Sequence, residues 1–268
     1  MKALRKEDIS LHHYIKNYAL QNFIEEEKDI SLSYVSSESG AGSYVYQSNS
    51  TMDPLPTSRG RGWVYLDNYY DTTQQSGTIT VRDSNGTAIS GSNYMVDYID
   101  GRVIFATPTP VPATIDYKWY YVSVVDEWLD VREASDLPIV VIGISNFAKE
   151  GFQLGGGKFV SRRIDLNVFA SDQAEKDDIS ECLYDSLYLK SCAYQNFPKS
   201  GIVDWDGTWN SNYEFTTVSG SSSLKFDNVT STTVRVTLAT PSRDPLILSD
   251  LNRYRSRISF DLVHWEEA

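Results

Sequence analysis

Pro138-Ile-Val-Val-Ile-Gly-Ile144, the loop Lys149-Glu-Gly-Phe-Gln-Leu-Gly-Gly-Gly-Lys158, and the run Ser161-Arg-Arg-Ile-Asp-Leu-Asn-Val-Phe-Ala170 form the stretch on which the fold turns. The first run is uninterrupted and apolar, and its length suits a strand buried on both faces. From Val160 to Ala170 the pattern becomes an alternation, with Ile164, Leu166, Val168 and Ala170 on one face. Asp172 then opens a helix and Glu175 follows three positions later. That is a capping arrangement, in which two side chains satisfy backbone N–H groups the first turn leaves open. Ile179, Leu183, Ser186 and Leu187 are its expected buried stripe.

Beyond the helix the chain turns β-like after Pro198. Ser221–Leu238 reads as two short strands around Asp227-Asn228, Leu246–Leu251 as a short apolar segment, and residues 255–265 as a closing strand with Ile258, Phe260 and Leu262 on one face. On the other side, residues 7–28 read as an amphipathic helix whose solvated end is Glu25-Glu26-Glu27-Lys28. Residues 30–36 alternate like a strand, and 36–62, rich in Ser, Gly and Pro, read as an exposed loop. From 62 to 125 the period is two throughout. Asn85-Gly86 and Asp100-Gly101 supply the positive φ that tight hairpins need, and Thr114–Val125 is a long strand with Ile115, Tyr117, Trp119 and Tyr121 on one face. The expected fold is therefore α+β. A mixed β-sheet flanked by two helices spans 1–36 and 127–268, and an antiparallel β-domain is inserted at 37–126.

Composition sets the function classes. Thirty-six acidic and 24 basic side chains give a net charge of −12, which opposes a grip on nucleic acid because phosphate binding needs clustered Lys and Arg. It does not oppose loose passage of a polyanion. The basic N-terminus has no apolar run after it, so neither a signal peptide nor a membrane span is expected, and synthesis in the cytoplasm without export follows. Cys182 and Cys192 then read as reduced thiols, and the sequons at Asn49, Asn85 and Asn228 as chance matches.

Each candidate chemistry meets a plainer reading. Gly157-Lys158 resembles a phosphate loop, but Phe159 stands where Ser or Thr is required and a strand follows in place of a helix. His12 and His13 are adjacent on a helix and point about 100° apart, so a shared metal ion is not expected. Asp204, Asp206 and Glu214 among Trp205, Trp209 and Tyr213 suit a glycosidase cleft or a carbohydrate contact, and equally an Asp-centred turn. No nucleophile motif is present. The chain is expected to be no enzyme, with no cofactor and no metal. The 149–158 loop is the candidate subunit-interface element, through Lys149, Glu150, Phe152, Leu154 and Lys158.

The stretch from Pro138 through Leu183, with the ending Tyr254-Arg-Ser-Arg-Ile-Ser-Phe-Asp-Leu-Val263, resembles the tail-terminator and neck proteins of long-tailed bacteriophages. The 98–105 hairpin is similar to β-decorations in phage neck and connector proteins. The resemblance implies a structural virion protein of the neck, assembled in the host cytoplasm. It would form a homo-oligomeric ring, a hexamer, that terminates the tail tube and joins it to the head. Its partners would be itself, the tail tube and the connector or adaptor proteins, with viral DNA in transit unbound and no membrane. An adaptor (head-completion) ring and a carbohydrate-binding tail-fibre-type β protein are the alternatives. An acidic lumen would keep the passing polyanion mobile.

Overall fold

The computed structural model describes residues 3–38, 43–49, 63–64, 79–97, 101–105, 111–125, 137–151, 158–188, 191–193, 195–196, 216–217, 223–234 and 254–266. These fall into two compact units, one within Met1–Asn22, Val122–Phe197 and Phe215–Ala268, the other within Phe23–Tyr121. The first begins with α1 (Ala3–Tyr14), which passes into a π-helical turn at Ile15–Ala19.

The second unit is all β: β1 (Ile24–Glu38), β2 (Ser43–Ser48), β3 (Thr80–Asp83), β4 (Tyr94–Asp97), β5 (Arg102–Phe105) and β6 (Pro112–Tyr120). They form one antiparallel sheet in the order β3-β6-β1-β2-β5-β4. The long strand β1 makes it curl. Ile24–Ser31 pairs with β6, Leu32–Glu38 pairs with β2, and the register shifts between Glu27 and Ile30. Asp29 has φ 55° there, a left-handed conformation that Asp tolerates better than most residues. A bulge of this kind bends a strand and increases its twist. Asp116 on β6 holds it: one carboxylate oxygen accepts from the Asp29 N–H at 2.9 Å and the other from Arg82 at 2.8 Å. Burial alone would raise the Asp116 carboxyl, but these two donors outweigh it and hold it below the usual range. The curled sheet wraps a core of Trp63, Val81, Phe105, Ile115, Tyr117 and Trp119, in which the rings of Trp63 and Tyr117 stack at 4.9 Å.

The first unit continues with β7 (Ser123–Val125), β8 (Ile139–Gly151), β9 (Lys158–Phe169), α2 (Gln173–Leu187), β10 (Ser191–Ala193), the small pair β11 (Gln195–Asn196) and β12 (Thr216–Thr217), β13 (Ser223–Val234) and β14 (Arg255–Glu266). Its main sheet runs β10-β13-β14-β9-β8-β7, antiparallel except for the β7–β8 pair. β14 lies between β9 and β13 and pairs with β9 without a break from Arg255↔Phe169 to Glu266↔Lys158. Ile139 to Ile142 are buried, as an apolar run with sheet neighbours on both sides requires. Ile164, Leu166, Val168, Ile258, Phe260 and Leu262 make the buried face under the helices. Asp172 caps α2, accepting from the Glu175 N–H at 2.9 Å, while the Glu175 carboxylate reaches back to the Ser171 N–H at 2.8 Å.

The expected α+β class, a mixed sheet flanked by two helices, is overturned. The chain is mostly β, with an antiparallel sheet curled into half a barrel and two short α-helices among the described residues. The helix expected over 7–28 runs as α-helix only to Tyr14, continues as the π-turn Ile15–Ala19 and a 3-10 turn at Gln21–Phe23, and gives way at Ile24 to β1, which holds Glu25-Glu26-Glu27-Lys28 because the aromatic strand β6 supplies hydrogen-bonding partners that outweigh helix propensity. The 36–62 stretch, expected to be loop, contains β2. Asp227-Asn228 is no turn between two strands: β13 is one strand with a bulge, in which Asn228 takes φ 53°. Leu246–Leu251 lies outside the described residues.

One charge is sealed under α1. Arg162 is 5% exposed on the buried face of β9, 2.9 Å from Glu7, itself 1% exposed, and 2.7 Å from the half-exposed Asp8. Arg162→Met should cost about 3–5 kcal/mol, because Glu7 stays buried without its guanidinium partner. Changing Glu7→Met as well should recover most of that loss. Urea unfolding of the two variants checks this, and a double variant no more stable than the single one would contradict it.

Candidate assembly surface

The interface loop expected from sequence is narrower in the structure. Lys149 and Glu150 belong to β8 and pair with Val160 and Phe159, while Lys158 starts β9 and pairs with Gly151 and Glu266. Phe152 and Leu154 lie outside the described residues, as do Asp204, Trp205, Asp206, Trp209, Tyr213 and Glu214. Strand pairing thus carries three of the five expected residues into the ladder, and the other two lie outside the described residues.

The same ladder builds a second feature. Side chains alternate across a strand, so the partners of the buried row point to the opposite face. That face is polar over β13, β14 and β9. Arg163 lies 3.3 Å from Asp261, which also accepts from Asn228 at 2.7 Å. Asp165 accepts from the Ser259 hydroxyl. At the start of β14, Arg255 and Arg257 converge on one atom, the Oδ1 of the buried Asn167, at 2.8 Å and 3.4 Å. Arg255 lies over the Phe169 ring at 5.2 Å. Burial, and then the charge of Arg257, push the Arg255 guanidinium below its ordinary pKa. Arg257 is exposed.

On the helical face of the same unit, a groove of about 370 Å³ runs between the end of the π-turn and α2. Asp178, Glu181, Cys182 and Asp185 line it from α2, with Tyr18 and Asn22 opposite. The Cys182 thiol is reduced and accepts from the Asn22 amide at 3.8 Å. The groove owes its shape to packing between the helical elements, where the Tyr14 hydroxyl donates to the Ser186 carbonyl at 2.7 Å and its ring meets Phe226 at 5.1 Å. Among the described residues no three His, Cys, Asp or Glu side chains form a metal site, and no helix is long and apolar enough to cross a membrane.

In the curled unit, Tyr34, Val35 and Tyr44 are exposed together where β1 bulges between Tyr34 and Ser36. The Tyr34 ring lies 6.4 Å from Tyr44 and 5.6 Å from Tyr46. Clustered exposed aromatics are the usual material of partner surfaces.

The Arg255/Arg257 pair is hidden in sequence behind the apolar alternation of Ile258, Phe260 and Leu262 on the same strand. The complementary positions 255, 257, 259 and 261 carried the signal: all four are polar. The acidic stripe of α2 was equally visible as three carboxylates at i, i+3 and i+7. No protein-family model matches this chain, and no curated protein matches it.

Two groups near the start of the chain are tuned by burial. His13 is pushed down to about 3, by burial first and then by the neighbouring His12 and Lys16, and burial pushes Lys16 down to about 8. A base whose folded pKa lies below its unfolded value loses stability as the pH falls between the two. Acidification from pH 6.5 towards 3 should therefore weaken the fold through His13, and His13→Gln should lose less stability over that interval. Thermal melting across the range tests it, with parallel curves as the contrary result.

Proposed function

We propose that this chain is a structural, non-enzymatic protein of a phage neck, which closes the tail tube and joins it to the head as a homo-oligomeric ring through which DNA passes. The observation that carries the reading is the order of elements from β8 to β14. A buried strand leads into a long hairpin, a capped helix follows, and the last strand of the chain inserts beside the hairpin. This is the order that gives the sequence its resemblance to the tail-terminator and neck proteins. Support also comes from an exposed surface of the kind that holds assemblies together, the Tyr34–Tyr44 aromatic patch.

In this reading the ring's partners are its own copies, the tail tube and the connector or adaptor proteins. The curled unit faces a neighbour in the neck, and the acidic balance keeps DNA moving without a grip. An adaptor ring of the head side is the second reading, favoured by the hairpin Tyr94–Asp97 with Arg102–Phe105, whose Asp97–Arg102 ion pair spans the two strands at 2.7 Å.

Electron microscopy of the purified protein should show rings of six copies. Twelve copies would select the adaptor reading, and a monomer that binds glycans would overturn both. Removing 152–157 should leave the melting temperature close to that of the intact chain but stop head–tail joining in an assembly assay. Normal joining by that variant would refute a role for residues 152–157.

A further inference from the structure

Each side of the first unit's main sheet is covered for only part of its length. On one side β10 pairs with Ser223–Lys225 of β13, and among the described residues no strand pairs with Phe226–Val234 on the side away from β14. On the other side β7 pairs with Ile139–Val141 of β8, and among the described residues no strand pairs with Ile142–Gly151 on the side away from β9. Both stretches reach solvent. Asp227, Asn228, Thr230, Ser231 and Thr232 are exposed, as are Ala148 and Ile144, the latter by 47%. Val229–Val234 and Ile142–Ala148 contain no charged residue and no proline, the side chains that usually guard a free edge. An unguarded row of backbone N–H and C=O groups is a template for another strand.

The two open stretches fit each other. β8, β9, β14 and β13 alternate in direction, so β13 of one copy meets β8 of the next antiparallel. Their coverings lie at opposite corners. Across the ladder Lys225, beside β10, aligns with Ala148, whereas Val234 aligns with Ile139, beside β7. Setting Val234 against Ile142 and Phe226 against Glu150 therefore joins stretches of equal length, with β10 beyond one end and β7 beyond the other. Each strand carries one extra residue inside its stretch, β13 between Asp227 and Thr230 and β8 between Ile144 and Asn146, so the register is kept across both irregularities. It places Asp227 opposite Lys149, a favourable cross-strand charge pair. It also displaces the next copy by about 10 Å along the strands, and stagger of this kind is what a sheet needs to close on itself.

We infer that β13 of one copy adds to β8 of a second copy along Phe226–Val234 and Ile142–Glu150, so that the main sheet runs on from copy to copy. Main-chain hydrogen bonds supply the affinity of such a strand addition. The contact joins two different edges, so it is head-to-tail, the type that closes into a ring when the rotation between copies permits. It deepens the ring reading above, rests on it, and names the contact that would hold the ring.

The test is crosslinking between full-length chains in a Cys182→Ser, Cys192→Ser background. One chain carries Thr232→Cys and the other Ile144→Cys, opposite positions in this register and both exposed. A short bismaleimide should join the two chains when they are mixed and should join neither chain to itself. Melting temperatures near that of the wild type should show that both variants fold. As a second measurement, Ser231→Lys in the otherwise native chain should weaken self-association about tenfold by analytical ultracentrifugation, because an edge lysine opposes strand addition. If the wild type forms rings while the mixture gives no crosslink, or while Ser231→Lys assembles as well as the wild type, this contact is wrong and the ring reading stands. Crosslinking of the Thr232→Cys chain to itself would mean that β13 pairs with its own copy, which also overturns the contact. A wild type that stays monomeric at every concentration overturns the ring reading, and this contact with it.

Discussion

A guanidinium shut away from water must find its counter-charge inside the protein, and Arg162 does so through Glu7 and Asp8. Arg162 interrupts the apolar row of β9 formed by Ile164, Leu166 and Val168, so α1 has one position on the sheet at which its charges match. Apolar packing alone would let a short helix slide or rotate at little cost. With α1 pinned, Tyr14 reaches the Ser186 carbonyl and the Phe226 ring, which sets α1 against α2. The groove between Tyr18 and the α2 carboxylates follows from that setting. The candidate surface is thus a consequence of a buried ion pair at the other end of α1.

What could be read from sequence was local. The α2 start was legible because Asp172 and Glu175 act on backbone groups within one turn, and β8, β9 and β14 were legible because burial imposes period two or a short apolar run. What failed was non-local. Glu25-Glu26-Glu27-Lys28 favours a helix by propensity, and it is a strand because Tyr117–Tyr120, ninety residues on, pairs with it. Asp227-Asn228 was ambiguous in principle, since a turn and a bulge both call for a residue at positive φ, and only the pairing of β13 with β14 on both sides of Asn228 decides between them. The same limit hid the site. Arg255 and Arg257 are plainly alternate positions, but their convergence on Asn167 depends on the register of β14 against β9.

The net charge of −12 shapes how copies of this chain can associate. Long-range repulsion between copies acts over distances comparable to the Debye length, about 8 Å at physiological ionic strength, beyond which it is screened. A guanidinium–carboxylate contact acts at about 4 Å and is partly shielded from solvent, so salt weakens it less. At low ionic strength the acidic excess keeps copies apart, and at high ionic strength that repulsion is screened. An acidic protein can therefore assemble through a few concentrated charges while its remaining surface repels both its copies and a polyanion such as DNA.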